Sequence, residues 1–94
     1  MSGVADGATT RRERLLEMLD YINSQQPGGP SLVEVQLHMS MTHGLTFKKT
    51  LEYVHEHQLA GVLFFEAGHI KIREKNFRRL IEIMAPEREN RKII

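Results

Sequence analysis

The sequence predicts a mainly α domain with one small β-hairpin, in the order helix, helix, helix, strand, strand, helix. Three observations carry this. Apolar residues recur at helical spacing in four stretches, and three of those stretches are opened by Ser or Thr. Gly61 is followed by two short runs of β-branched and aromatic residues around Ala67-Gly68. Cysteine is absent from the 94 residues, so neither disulfides nor thiolate metal sites contribute.

Composition bounds the function classes. Hydrophobic residues make up 40% and charged residues 27%, the balance of a soluble globular domain with a modest core. No apolar run approaches the ~20 residues of a membrane span, so no membrane partner is expected. The start, MSGVADGATT, lacks the basic and apolar regions of a signal peptide. With no cysteine, this fits the reducing cytoplasm. The formal net charge is only +1. A nonspecific DNA coater is usually more basic, so any nucleic-acid binding must come from local placement of charge.

Residues 1–9 are small and polar and are expected to be disordered. Thr10-Arg11-Arg12-Glu13 fits a capping box, in which a hydroxyl and a carboxylate satisfy orphan amides reciprocally. Leu15, Met18, Leu19 and Ile22 follow at i, i+3, i+4 and i+7, an amphipathic helix. QQPGGP at 25–30 ends it as a loop. Ser31-Leu32-Val33-Glu34 is a second capping box. The helix it opens carries Leu32, Val35 and Met39 on one stripe and Val33 and Leu37 on another, which suits a helix wedged between two others. Thr42, His43 and Gly44 make the turn that follows.

Thr46 reads as the N-cap of the third helix. Its expected inward face is Phe47, Thr50/Leu51 and Val54, with Gln58 near the end. Its expected outward face is Lys48, Lys49, Glu52 and Glu56, with Tyr53 at the margin. Gly61 stops it. Val62–Glu66 and His69–Arg73 then form a hairpin joined by Ala67-Gly68. That loop pairs Glu66 with His69, Phe65 with Ile70 and Leu63 with Ile72, and puts the last two pairs on the core face. Phe64 falls on the charged face, where an aromatic suits a protein or dimer contact. A slip of one residue would instead make Phe64 the core residue and turn Phe65 out. A fourth helix from about Glu74 places Phe77, Leu80, Ile81 and Met84 on one stripe, and Pro86 ends it. Residues 86–94 are a charged tail closing on Ile93-Ile94.

Over residues 10–85 this pattern resembles the winged helix-turn-helix superfamily, and is most similar to short archaeal-type winged-helix transcriptional regulators. The resemblance rests on a small polar residue and an aromatic opening the third helix, Thr46-Phe47. A glycine about fifteen residues later precedes two apolar residues, Gly61-Val62-Leu63. The entry to the last helix, Ile72-Arg73-Glu74-Lys75-Asn76-Phe77-Arg78-Arg79-Leu80-Ile81, follows the same style. Three positions depart from the pattern: Arg73 stands in place of a Thr cap, Asn76 in place of a glycine, and His57 where a core Leu is common. The resemblance implies a DNA-binding transcriptional regulator, with the third helix in the major groove of double-stranded DNA and the hairpin, the wing, on the backbone.

On that reading the candidate DNA-binding residues are Thr46, Lys48 and Lys49 at the start of the third helix, where helix-turn-helix proteins contact base edges and phosphates. Beside them stand His69, Lys71 and Arg73 on the second strand of the wing. Glu52 and Glu56 oppose deep docking of the outward face, which leaves base contact to the first turn. One recognition helix binds DNA weakly, so a homodimer partner is expected, with Ile83 and the terminal isoleucines as candidates for its contact. Arg11, Arg12 and Arg14 form a small basic cluster at the start of the first helix.

The five histidines lack metal-ligand spacing, and no nucleophile motif, phosphate loop or dinucleotide glycines occur. No enzyme activity, cofactor or metal is therefore expected. The competing reading is a protein-interaction module of a larger complex without direct DNA binding. Near-neutral charge, Glu52, Glu56 and Phe64 favour it, and fold alone does not decide.

Overall fold

The computed structural model describes residues 3–88, with side-chain surroundings from Thr10 onward. The elements are α1 (Gly3–Ser24), α2 (Leu32–His43), α3 (Phe47–Leu59), β1 (Leu63–Glu66), β2 (His69–Ile72) and α4 (Glu74–Met84). The molecule is mainly helical with one antiparallel two-stranded hairpin, in the predicted order. No described helix is long and apolar enough to cross a membrane.

α1 buries Leu15, Met18, Leu19 and Ile22, the stripe its periodicity predicts. It begins well before the expected start. From Gly3 on the chain is helical rather than disordered, and Thr10 lies inside the helix instead of capping it. Residues 1–2 lie outside the described chain. In place of a box with Glu13, neighbouring arginines reach other elements. The Arg11 guanidinium donates to Glu56 at 2.8 Å, and Arg12 donates to the Met84 carbonyl at 2.9 Å.

Ser31 does cap α2: its hydroxyl accepts from the Glu34 amide at 3.2 Å, and the Glu34 carboxylate accepts from the Ser31 amide at 2.9 Å. Val35 and Met39 are fully buried. Val33 and Leu37 are exposed, which corrects the expectation that both stripes of α2 are wedged between neighbours. The helix ends on left-handed Gly44, whose amide donates to the Met39 and Ser40 carbonyls.

The hairpin has the predicted register: Leu63 with Ile72, Phe64 with Lys71, Phe65 with Ile70 and Glu66 with His69. No slip occurs, so Phe64 stands on the charged face. Half-buried, it is covered there by the Arg73 guanidinium, 4.6 Å from its ring centroid. Phe65 shares the core face yet stays 39% exposed, while its partner Ile70 is fully buried. The difference lies at the two edges of the ribbon. β1 pairs only with β2. The outer edge of β2 is covered by the α1–α2 loop: the Ile70 amide donates to the Pro30 carbonyl at 2.8 Å, and the Gln26 amide donates to the Ile70 carbonyl at 3.0 Å. The loop thus caps both backbone groups of Ile70, one through the Pro30 carbonyl and one through the Gln26 side chain.

The hairpin turn puts Ala67 at φ 52° and Gly68 at φ 81°. Left-handed backbone costs an L-residue other than Gly or Asn about 1 kcal/mol. Ala67→Asn is therefore expected to raise stability by roughly 0.5–1 kcal/mol, read as a shifted urea midpoint with an unchanged slope.

α4 buries Ile81 and half-buries Phe77, Leu80 and Met84, as its stripe predicts. Arg73 gives it no side-chain cap. Asn76 instead ties its first turn to the end of α3, donating to the Gly61 carbonyl at 2.7 Å. Beyond Pro86 the chain is anchored at Arg88, which donates to both Asp20 carboxylate oxygens at 3.1 and 3.0 Å. That hydrogen bond raises the Arg88 pKa above its ordinary value. The rest of the predicted tail, with Ile93 and Ile94, lies outside the described residues.

Candidate nucleic-acid interface

The Gln36 side-chain amide of α2, which is buried, donates to the Phe47 carbonyl at the start of α3 at 3.1 Å. The chain enters α3 through Thr46 in an extended conformation. Its hydroxyl accepts from the Lys49 amide at 3.0 Å. That hydroxyl keeps its own O–H to donate outward. No acidic residue stands in the first turn of α3, and Thr46, Phe47, Lys48 and Lys49 are all exposed. Cations and free amides together make this end of the helix electropositive.

α3 is rotated about its axis relative to expectation. The buried residues are Thr50, Tyr53, Val54 and His57. Phe47 and Leu51, expected inside, are 43% and 41% exposed. Tyr53 goes inside because its ring is a platform for two cations, the Arg11 guanidinium at 5.4 Å and the Lys49 ammonium at 5.7 Å. His57 goes inside because its Nδ1 bonds the Tyr53 carbonyl one turn earlier, at 2.7 Å. A polar group buried with its bond made costs little.

This rotation sorts the charges of α3 into two strips. One carries the carboxylates, each beside a cation. Glu56 pairs with Arg11 at 2.8 Å, and Glu52 pairs with Lys49 at 3.5 Å. The other strip, Phe47, Lys48, Leu51 and His55, is exposed and carries no carboxylate. Lys48 makes no ion pair among the described residues.

The three hairpin candidates are placed differently. The His69 Nδ1 bonds the Gly29 carbonyl at 2.9 Å, and the Lys71 ammonium donates to the Pro27 carbonyl at 2.6 Å. Lys71 also lies 3.8 Å from Glu66. Both side chains fold back onto the α1–α2 loop and hold it against β2. Arg73 lies over Phe64 with its charge unpaired by any acid among the described residues. The structure thus gathers Thr46, Lys48 and Lys49 at one helix end, and commits His69 and Lys71 to the fold.

Sequence reasoning did not single out Gln26, Gly29, Gln36 or the exposed pair Phe47 and Leu51. The Gly-Gly in QQPGGP was the available signal for the loop, since a close backbone approach favours glycine. No group of three or more His, Asp or Glu side chains suited to a metal occurs among the described residues. His38 is instead stacked on Tyr21, with ring centroids 4.0 Å apart, and bonded to Glu17 at 2.6 Å.

Comparison with protein-family models, curated proteins and solved structures finds no match to this chain. A helical domain with a hairpin in this order is compatible with a winged helix, and function must be argued from the surface itself.

Proposed function

We propose that this protein is a winged-helix DNA-binding regulator that docks the first two turns of α3, N-terminus foremost, in the major groove. One observation carries the reading. The α3 N-terminus is exposed, capped, free of acid and bears Thr46, Lys48 and Lys49, while Glu52 and Glu56 are paired off toward Lys49 and Arg11. Both carboxylates are thus paired in the free protein: Glu56 stays with Arg11, while Glu52 is released when Lys49 moves to phosphate. Thr46 donates its hydroxyl to a phosphate, Lys48 reaches a phosphate or a guanine edge, and Lys49 exchanges Glu52 for phosphate. Arg73 is the hairpin cation left for the backbone. His69 and Lys71 act by holding the loop that positions the hairpin. So small a footprint calls for two copies. Ile83, exposed on α4, is one of the described apolar residues open to a dimer contact.

A labelled duplex titrated at low and moderate salt tests this. Affinity is expected to fall linearly on log axes, by about 0.9 log unit per phosphate for each decade of salt. The shifted amides should centre on Thr46–Lys49. Absence of binding at low salt would sink the reading.

A second reading has its own observation. Val33, Leu37 and Met41 lie at i, i+4 and i+8 on α2, and all are exposed, Met41 at 84%. An exposed apolar row is the mark of a protein contact, as in a module of a larger complex.

A further inference from the structure

The exposed strip of α3 has a chemistry that the lysines alone do not explain. Phe47 and Leu51 lie one turn apart on it, with Lys48 beside them and no acid in the first turn. α3 buries Thr50, Tyr53, Val54 and His57 and leaves this pair open. Resting on the DNA-binding reading above, we propose that Phe47 and Leu51 are specificity residues that read thymine C5-methyl groups in the major groove.

The chemistry fits on three counts. The thymine methyl is the one apolar group that a base pair presents in the major groove, and apolar side chains are its partners there. Four residues of helix rise span about 6 Å, close to two base-pair steps of about 3.4 Å each, so the two side chains can meet methyls on nearby pairs. The flanking charge matches as well, since Lys48, Lys49 and the α3 N-terminus face phosphates while the apolar pair faces the base edges. The contacted core of the operator is thus rich in A·T pairs, and guanine readout is limited to Lys48.

The test compares short duplexes that differ only by that methyl. An alternating A·T duplex is measured against the same duplex with deoxyuridine for thymidine. An alternating G·C duplex is measured against its 5-methylcytosine form. A buried methyl is worth about fourfold in affinity. Loss of the thymine methyls is therefore expected to weaken binding roughly fifteenfold when both side chains are engaged, and methylation of cytosine to strengthen it. Leu51→Ala, a favourable helix substitution at an exposed site, should shrink the thymine–uracil difference while circular dichroism and the salt dependence stay unchanged.

Equal affinity for the thymine and uracil duplexes would overturn the methyl readout and leave DNA binding standing. Failure to bind any of the duplexes at low salt would overturn both. Self-association that Leu51→Ala abolishes, seen by sedimentation without any methyl effect, would overturn the proposal in favour of a protein partner on this strip.

Discussion

Gly29→Ala is expected to destabilise the domain by about 3 kcal/mol or more, the largest effect of an added methyl among the described glycines. Gly29 sits at φ 85°, and a Cβ there would lie 2.4 Å from the Ile70 carbonyl oxygen and 3.2 Å from its carbon. Both are backbone atoms of Ile70, the buried residue of β2, and not the far end of a flexible side chain. The left-handed φ alone costs an alanine about 1–2 kcal/mol. Relieving the overlap would pull the loop off β2 and lengthen the bonds joining Ile70 to Pro30 and Gln26. Each such bond is worth about 1 kcal/mol net. Gly68 is the internal control: its φ is 81°, but an added Cβ meets nothing within 4 Å. Gly68→Ala should therefore cost only the conformational share, about 1–2 kcal/mol. Urea unfolding of the two variants separates steric overlap from backbone strain. Equal losses would mean that the loop is not packed against β2 as described. A small domain holds roughly 5–15 kcal/mol in total, so Gly29→Ala should also lower the yield of folded protein.

The loop shows where reading the chain stops. A cap is local: Ser31 and Glu34, or Thr46 and the Lys49 amide, are three residues apart and are legible from type and spacing. The hairpin register is also local, since Ala67-Gly68 fixes which residues oppose one another. By contrast, the partner of Ile70 lies some forty positions away at Pro30, and nothing in QQPGGP encodes that distance. The rotation of α3 was illegible for the same reason. Ranked by hydrophobicity, Phe47 and Leu51 belong inside and Tyr53 at the margin, while His57 at a core position calls either for weaker packing or for burial with a hydrogen-bond partner, and the second holds. The order reverses because Arg11 on α1 reaches the Tyr53 ring and Glu56 together, and because His57 finds an acceptor on its own helix. The start of α1 failed differently. Thr10 and Glu13 satisfy a capping pattern, but the helix continues through them to Gly3, so the pattern was a coincidence of spacing. For the candidate site, the sequence singled out the N-terminal end of α3 by residue type alone. It could not show that Glu52 and Glu56 are compensated, nor that His69 and Lys71 are tied to the loop.

Replacing Lys48 and Lys49 together by alanine is expected to weaken duplex binding by roughly sixtyfold near 0.1 M salt. Each phosphate contact contributes about 0.9 log unit per decade of salt, so two are worth about 1.8 log units between 1 M and 0.1 M. The slope of log affinity against log salt should become shallower by about 2. The single variants are unequal for a reason visible in the structure. Lys49 already holds Glu52 at 3.5 Å and stands over Tyr53, so it must break those contacts to reach DNA. Its removal also leaves Glu52 uncompensated on α3. Lys48 has no such tie among the described residues, and Lys48→Ala should lower affinity with no change in stability. Lys49→Ala should carry a further loss from the freed carboxylate, recovered when Glu52→Gln is added. Lys71→Ala makes the contrast with the hairpin. Its ammonium is bonded to the Pro27 carbonyl, so the variant is expected to loosen the loop and lower the unfolding midpoint while moving the salt slope little. A salt slope that falls by about 1 in Lys71→Ala, with none lost in Lys48→Ala, would move the DNA contact from α3 to the hairpin.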